Sequence, residues 1–198
     1  MAQLSLDGYI AEKNGNSDWL IFIWGEQWTS DFILRKYFTG VRSSVDWILF
    51  CPEMAKEGYL SHWSGAVKAV RRTQSAFAKN VTASKQVIFS KAVNLSEWMN
   101  TDSAKEEISD EINKLKKQEG KNIIVYGGAS FVRTLISAGL IDEFQLFVEP
   151  KILGTGINLF SDITELKLLK TRLFPCGVTL LKYVPLKLAE LVDQDNEN

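Results

Sequence analysis

Short apolar runs alternate with helix-period apolar stripes along most of this sequence, and their order predicts strands and helices in turn. Runs rich in β-branched residues and bounded by turn residues predict strands, whereas apolar residues three and four positions apart predict helices. The predicted strands cover residues 45–50, 86–90, 122–126, 144–148, 167–174 and 178–184, and residues 4–11 predict a strand, a tight turn and a loop. The predicted helices cover residues 28–42, residues 66–78, a segment that starts at 102 or 103, and a segment after 128.

Residues beside the helical stripes mark where the helices should begin and end. The predicted N-caps are Thr29 or Ser30 for the first helix and Asp102 or Ser103 for the third. The predicted stops of the last two helices are Gly120 and Gly139. The stripe of the first helix is predicted to contain Trp28, Phe32, Arg35 and Phe38, and that of the third Ile108, Ile112 and Leu115.

The order of the elements predicts the fold class. Strand, helix and strand follow one another up to residue 148, which favours parallel pairing, because a parallel crossover needs an intervening segment. The last predicted strands have no long helix between them, so the sheet should finish with antiparallel strands. We expect an α/β fold with one domain over residues 1–185 and a polar C-terminal tail over residues 186–198.

Composition narrows the functional class. The 198 residues, 45% hydrophobic and 24% charged, are enough to bury the core of an ordinary globular domain. Lys and Arg total 23 and Asp and Glu total 24, so the net charge of −1 argues against a nucleic-acid partner. No apolar run approaches the roughly 20 residues of a membrane-spanning helix, and no signal sequence is visible. We therefore expect a cytoplasmic protein with no membrane partner.

Thiol and imidazole chemistry is limited in this chain. Two cysteines, Cys51 and Cys176, stand far apart, and we expect reduced thiols because a domain of this size does not need a disulfide. The single histidine, His62, has no zinc-ligand spacing around it, so no metal site is predicted. A Ser-His-Asp triad could run only through His62, and a partly buried structural imidazole is the simpler interpretation.

A glycine pair at a strand-to-helix turn is the first candidate for chemistry. Gly127 and Gly128 follow a predicted strand and open a helix, a geometry that lets a phosphate approach the helix N-terminus, and Ser130 could add a hydroxyl. A tight connection explains the pair equally well. Residues 154–156 (Gly-Thr-Gly) lack the third glycine and the helix of a dinucleotide fingerprint, so a loop is the better interpretation.

Polar residues at other predicted strand ends have two interpretations each. Asp7 precedes Gly8 at a sharp turn, which suits either a side chain projecting into a cleft or a plain Asp-Gly turn. Ser90 and Lys91 could bind an anion or form a solvated strand end. Glu149 could be an exposed strand end or the edge of a cleft.

The order of these segments resembles the dihydrofolate-reductase-like family that includes the C-terminal reductase domain of bifunctional riboflavin-biosynthesis deaminase-reductases. The resemblance covers nearly the whole chain, and its specific part runs from 120 to 156. The matching segments are 5–11 (Ser-Leu-Asp-Gly-Tyr-Ile-Ala), 18–20 (Asp-Trp-Leu), 45–49 (Val-Asp-Trp-Ile-Leu), 58–63 (Gly-Tyr-Leu-Ser-His-Trp), 87–91 (Val-Ile-Phe-Ser-Lys), 120–131 (Gly-Lys-Asn-Ile-Ile-Val-Tyr-Gly-Gly-Ala-Ser-Phe), 138–143 (Ala-Gly-Leu-Ile-Asp-Glu) and 149–156 (Glu-Pro-Lys-Ile-Leu-Gly-Thr-Gly).

This resemblance implies a three-layer fold, a mainly parallel central sheet with helices on both faces, and a homodimer. It implies a reductase that transfers a hydride from NADPH to a small pterin- or aminopyrimidine-like heterocycle, as in riboflavin biosynthesis. The cofactor-binding residues it implies are Gly8, Tyr9, Ile10, Ala11, Ser90, Lys91, Gly127, Gly128, Ala129, Ser130 and Phe131. The predicted catalytic residues are Asp7 and Asp31, although an exposed helix charge is the alternative interpretation of Asp31.

One segment departs from the family pattern. After the strand that matches residues 45–50, family members carry Gly-Arg, whose arginine meets the cofactor 2'-phosphate, whereas this chain has Cys51, Pro52 and Glu53. Losing the cation and gaining a carboxylate should weaken the preference for NADPH. Two alternatives therefore stay open: a non-catalytic family member that no longer binds NADPH productively, and a folate reductase.

Overall fold

The computed structural model describes residues 1–20, 31–51, 53, 79, 81–90, 95 and 100–186. Its strands are β1 (Ala2–Leu4), β2 (Tyr9–Ala11), β3 (Val45–Phe50), β4 (Lys85–Ile88), β5 (Thr101–Ser103), β6 (Asn122–Tyr126), β7 (Phe144–Val148), β8 (Ile157–Asn158), β9 (Leu166–Leu173) and β10 (Thr179–Pro185). Its helices are α1 (Phe32–Ser43), α2 (Ile108–Lys116) and α3 (Ala129–Ser137). The helix predicted over 66–78, His62 and Lys91 lie outside the described residues.

The chain divides into two compact units. One unit contains Met1–Ile33 and Arg133–Asn198, and the other contains Leu34–Val132. We call them the terminal unit and the central unit. Each unit has its own four-stranded sheet, and the terminal unit also has a two-stranded ribbon formed by β2 and β8.

The central unit is built on an all-parallel sheet in the order β5-β4-β3-β6. In its middle strand, Ile48, Leu49 and Phe50 are almost completely buried. Such a continuous apolar run is typical of parallel strands, which are covered on both faces. The strand predicted over 45–50 is confirmed, since β3 ends at Phe50.

The sheet of the terminal unit combines both kinds of pairing, in the order β1-β7-β10-β9. β1 runs parallel to β7, whereas β10 runs antiparallel to β7 and to β9. The predicted α/β class, with parallel strands followed by antiparallel C-terminal strands, is therefore confirmed.

The C-terminus of α3 lies where the sequence predicted it. α3 ends in a Schellman motif, because Gly139 N–H donates to Ile136 O and Leu140 N–H donates to Leu135 O, both at 2.9 Å. Gly139 has φ +65°, so the predicted glycine stop is confirmed.

The structure begins the two helices at other residues than the predicted N-caps, and Thr29 and Ser30 themselves lie outside the described residues. Asp31 caps α1, because its Oδ1 accepts the Ile33 N–H at 2.8 Å. Asp102 and Ser103 belong to β5, and α2 begins at Ile108 after Glu107. The edge strand β5 does not show in the sequence as an apolar run, since Thr101–Ser103 is polar.

The predicted stop of α2 and the predicted stripe of α1 also need correction. α2 ends at Lys116, where the Lys117 N–H donates to Asn113 O, rather than at Gly120. The buried residues of α1 are Leu34, Phe38 and Arg42, one turn apart, whereas Phe32 is 62% exposed.

Candidate functional site

Three parallel strands of the central unit end side by side. β3 lies between β4 and β6, so the residues that follow them, Cys51, Phe89 and Gly127, come to one edge of the sheet. Backbone bonds continue past the strand ends, since Phe89 N–H donates to Phe50 O at 3.1 Å. In open α/β sheets, ligands bind outside the carboxyl ends of parallel strands. We call this place the carboxyl edge and treat it as the candidate cofactor site.

The two glycines at the carboxyl edge have different roles in the fold. A Cβ added to Gly127 would lie 2.7 Å from Phe131 Cδ1 and 3.5 Å from Cys51 Cβ, so packing requires a glycine there. A Cβ added to Gly128 would meet no atom of the described residues within 4 Å. Neither glycine has a positive φ. The fold therefore does not itself require glycine at 128, and the open space beside its backbone is available to a ligand.

The N-terminus of α3 faces that space. α3 begins at Ala129, and Val132 N–H donates to Gly128 O at 3.2 Å, so Gly128 precedes the first turn. The amide dipoles of a helix place partial positive charge at this end, where a phosphate is stabilised. Gly128 N–H itself donates to Cys51 Sγ at 3.4 Å. The residues present thus fit a pyrophosphate, with Cys51 sulfur as a weak competitor for one donor.

The other predicted cofactor residues of the central unit differ in exposure. Ser130 is exposed and Ala129 is half-buried. Phe131 is 9% exposed, and its ring lies 5.4 Å from that of Phe89, so it forms the packed floor under Gly127. Ser90 is half-buried, and its carbonyl accepts the Ser103 hydroxyl at 2.6 Å. That bond anchors the end of β4 to β5.

In the terminal unit, Asp7 ties two loops together. Its Oδ1 accepts the Ser5 hydroxyl at 2.6 Å and the Leu153 N–H at 3.1 Å, and its Oδ2 accepts the Gly154 N–H at 2.7 Å. These bonds, above all the one from Ser5, hold the pKa of Asp7 below its ordinary value. The ionised carboxylate therefore holds the turn at residues 5–8 against the backbone of residues 153 and 154. We call this set of bonds the Asp7 clamp.

Ser5 and Gly8 shape the turn that contains Asp7. Ser5 is 1% exposed, its hydroxyl accepts the Tyr9 N–H at 2.9 Å, and its carbonyl accepts the Gly8 N–H at 3.0 Å. Gly8 has φ +87°, a conformation that favours glycine. In the sequence, Ser5 is visible only as part of a motif. Its burial and its bonds in the structure show that it holds the turn together.

Strand β2 consists of Tyr9, Ile10 and Ala11, which were predicted to bind the cofactor. Tyr9 pairs with Asn158, and Ala11 pairs with Ile157. A Cβ added to Gly156 would lie 2.3 Å from Ala11 O, so glycine there permits close approach of the two backbones. Residues 154–156 are therefore a structural loop, as the sequence indicated.

Two carboxylates that the sequence left ambiguous are buried in the terminal unit. Asp31 is 8% exposed, so the alternative of an exposed helix charge was wrong. In addition to capping α1, its Oδ2 accepts the Cys176 N–H at 3.0 Å. Glu149 is 1% exposed, which excludes an exposed strand end, and its N–H donates to Leu4 O at 2.7 Å.

The predicted residues thus fall into two groups. Ser90 and residues 127–131 meet at the carboxyl edge of the central unit, whereas residues 7–11 and Asp31 belong to the terminal unit. Within the described ranges, no three His, Cys, Asp or Glu side chains are placed to hold a metal ion. In the same ranges, no helix is long and apolar enough to cross a membrane.

Comparison with known proteins places this chain in a family. The sequence pattern of the RibD C-terminal domain matches residues 1–180. The uncharacterized protein YyaP of Bacillus subtilis (strain 168) is 34% identical over 189 residues, covering 91% of this chain and 90% of YyaP.

Two solved structures share the fold. A pyrimidine reductase-like protein from Corynebacterium diphtheriae matches with a TM-score of 0.58 and 16% identity, over 94% of this chain and 90% of that one. A diaminohydroxyphosphoribosylaminopyrimidine deaminase/5-amino-6-(5-phosphoribosylamino)uracil reductase from Thermotoga maritima matches with a TM-score of 0.61 and 18% identity, over 93% of this chain and 55% of that one. The chain therefore belongs to the RibD C-terminal domain family, a dihydrofolate-reductase-like family that includes NADPH-dependent pyrimidine reductases.

Proposed function

We propose that this protein is a reductase that transfers a hydride from NADPH to a small pterin- or aminopyrimidine-like heterocycle. Its family includes pyrimidine reductases, and the T. maritima relative is named for the reduction of 5-amino-6-(5-phosphoribosylamino)uracil. The reductase of riboflavin biosynthesis is therefore the activity that we assign first.

The open space at Gly128, next to the N-terminus of α3, is the observation that carries this proposal. NADPH supplies the hydride when it is bound. The chain contributes the binding surface: Gly128 allows the pyrophosphate to approach, and the first turn of α3 stabilises its charge. Ser90 follows β4, on the other side of β3 from Gly128, and the family resemblance assigns this strand end to the adenosine part of the cofactor. Asp7 is a positioning residue here, because its oxygens already bind the backbone of 153 and 154.

Cofactor binding is tested by titrating NADPH against the fluorescence of the six tryptophans. Gly128→Val should lower NADPH affinity at least about tenfold, because the added side chain fills the space where the pyrophosphate would contact the helix N-terminus. Gly40→Val is the matched control, since Gly40 is exposed on α1, has no positive φ and, in the part of the chain that the structure describes, has no atom within 4 Å of an added Cβ. Unchanged NADPH affinity in a folded Gly128→Val protein would remove the basis of the assignment.

A second candidate function is favoured by one contact. Cys51 is completely buried where the family carries glycine, and its sulfur accepts the Gly128 N–H that a phosphate would otherwise take. This contact favours a family member that keeps the fold but does not use NADPH productively. Measurement of NADPH turnover separates these functions. Consumption of NADPH with 5-amino-6-(5-phosphoribosylamino)uracil supports the pyrimidine reductase. Consumption with dihydrofolate but not with that pyrimidine indicates a folate reductase. Binding of NADPH with no consumption in either mixture supports the non-catalytic member.

A further inference from the structure

A cavity of about 360 Å³ lies at the amino end of the parallel sheet in the central unit. Its lining includes Arg42, Ser43, Asp46, Ser84, Lys85 and Lys121. These residues stand at the starts of β3, β4 and β6, whereas Gly128 follows the end of β6. The cavity is therefore separate from the candidate cofactor site.

Arg42 is the unusual residue of this cavity. It is 2% exposed, and its Nη2 donates to Ser84 Oγ over a long distance of 3.3 Å. Its Nε and Nη1 are buried and have no hydrogen-bond acceptor among the described residues. Within the same residues, no carboxylate forms an ion pair with it, and its only charge-compensating neighbour is the Tyr126 ring, 5.9 Å from Cζ. A guanidinium stays charged at any physiological pH, and a buried unpaired charge destabilises the fold.

The other charged groups of the cavity give it a positive balance. Lys85 Nζ lies 5.1 Å above the Trp47 ring, and Lys121 Nζ donates to Ser43 O at 3.3 Å. Two carboxylates, Asp46 and Glu119, also line the cavity, and Asp46 Oδ2 accepts the Lys121 N–H at 2.7 Å. Three cations against two carboxylates leave one positive charge, and among the described residues none of the three cations forms an ion pair with a carboxylate.

We propose that this cavity binds a phosphomonoester, with Arg42 as the main recognition residue. An oxyanion would supply the acceptors that Arg42 lacks, because its single long bond to Ser84 lets the guanidinium turn toward a ligand. Two further lysines suit a doubly charged phosphate. The volume is at the lower end of small-molecule pockets, which leaves room for a small organic group as well as the phosphate.

The thermal shift of the whole protein in phosphate-free buffer tests this proposal, with inorganic phosphate, glycerol 3-phosphate and glycerol as probes. Glycerol 3-phosphate at tenfold excess over its Kd should raise the melting temperature by roughly 3 to 6 °C, and glycerol should not. An equal shift with inorganic phosphate shows that the phosphate group alone is recognised, and a smaller one shows that the organic group adds contacts. No shift with either phosphate overturns the proposal.

Two variants locate the binding. Arg42→Met should weaken phosphate binding at least about tenfold while leaving the melting temperature without phosphate unchanged or higher, because the change removes an unpaired buried charge. A purely structural arginine would instead give a less stable variant whose phosphate shift is intact. Lys85→Gln, at an exposed position, should weaken phosphate binding about two- to fivefold. If Arg42→Met does not fold, the Lys85→Gln result tests whether phosphate binds in this cavity.

Two controls separate this site from others. Lys114→Gln removes an equal charge from α2 outside the cavity, and it should leave phosphate binding unchanged. Gly128→Val should also leave it unchanged, whatever it does to NADPH. If Lys114→Gln weakens binding as much as Lys85→Gln, general surface charge explains the shift. If Gly128→Val abolishes it, the phosphate is at the carboxyl edge, and in either case the proposal is wrong.

Discussion

At the residue scale, Asp7 shows how one side chain can serve structure where the motif suggested chemistry. Its carboxylate binds the Ser5 hydroxyl and two backbone N–H groups from residues 153 and 154. Since the Asp7 pKa is lower in the folded chain than in the unfolded one, the ionised form favours folding. That stabilisation is complete above the unfolded value of about pH 4 and is lost as the pH falls through the folded value.

Asp7→Asn should therefore lower the melting temperature at neutral pH, because an amide offers one acceptor oxygen where the carboxylate offers two. The difference from the wild type should begin to close below about pH 4 and should vanish once the pH falls through the lower folded pKa, where the wild-type carboxylate is also protonated. Thermal unfolding followed by circular dichroism across this pH range measures it. Asp18→Asn, at an exposed position in the same unit, is the control and should show no such difference. A difference of constant size down to the acid limit would contradict the clamp.

The two glycines at the carboxyl edge give a second prediction at this scale. Gly127→Ala should destabilise the protein by about 1 to 3 kcal/mol, because the new Cβ would stand 2.7 Å from Phe131 Cδ1, and the Phe89 ring limits how far Phe131 can move. Gly128→Ala should stay within about 0.5 kcal/mol of the wild type. Chemical unfolding of both variants measures the contrast. Equal stability of the two variants would show that Phe131 gives way freely.

At the element scale, we expect the segment after β3 to set the preference of the carboxyl edge between NADPH and NADH. β3 ends at Phe50, Cys51 turns inward, and Glu53 is exposed. In the family pattern, glycine and arginine occupy the positions of Cys51 and Pro52, and the arginine binds the cofactor 2'-phosphate. The chain therefore places a thiol and a carboxylate on a segment where a cation would favour NADPH over NADH.

The double change Cys51→Gly with Pro52→Arg should tighten NADPH binding about ten- to a hundredfold and leave NADH nearly unchanged. Only NADPH has the 2'-phosphate that the new guanidinium can reach. Cys51→Gly alone is the matched control, because it has the same loss of packing without the cation. Fluorescence titration of both nucleotides measures the ratio. A wild type that already prefers NADPH strongly, with no gain in the double variant, would show that other residues bind the 2'-phosphate.

At the scale of the whole molecule, the expected homodimer needs a free sheet edge. The apolar strands β7 and β10 cannot supply that edge, because each pairs on both sides in the order β1-β7-β10-β9. The edge on that side is β9, where Leu168, Leu169 and Leu173 are 49%, 50% and 72% exposed. This eight-residue edge strand also contains Lys167, Lys170 and Arg172, so we expect its exposed leucines to supply the contact with another copy. The dimer stays a prediction, with β9 as its interface.

Light scattering at micromolar concentration should give twice the chain mass of 22.4 kDa. Leu168→Lys with Leu173→Lys should shift the protein to a monomer, because the change removes two exposed leucines of the predicted contact and adds charge to a strand that is already cationic. Ile163→Lys, at a position 97% exposed in a loop of the same unit, is the control and should remain dimeric. A wild type that is monomeric at every concentration would refute the dimer.

Local sequence determined those parts of the protein whose signals lie within a few residues. The apolar run of β3 indicated a strand buried on both faces, and Gly139 indicated the end of α3, since a left-handed residue after a helix favours glycine. The parallel-then-antiparallel order followed from which strands have helices between them. The family was recognisable because its longest motif, residues 120–131, is itself one strand, one turn and the start of one helix.

Only the tertiary structure decided which partner each polar group meets. The Asp7 clamp joins residues almost 150 positions apart, and Asp31 bonds to Cys176, which no local window contains. Gly127 and Gly128 are indistinguishable in sequence, yet one is packed against Phe131 and the other faces open space. Arg42 stands one turn after Phe38 in an apolar stripe, and its burial without a carboxylate depends on what the sheet places around it. The physical reason is that burial and hydrogen-bond partners are set by distant segments, whereas strand, helix and turn preferences are set by neighbours.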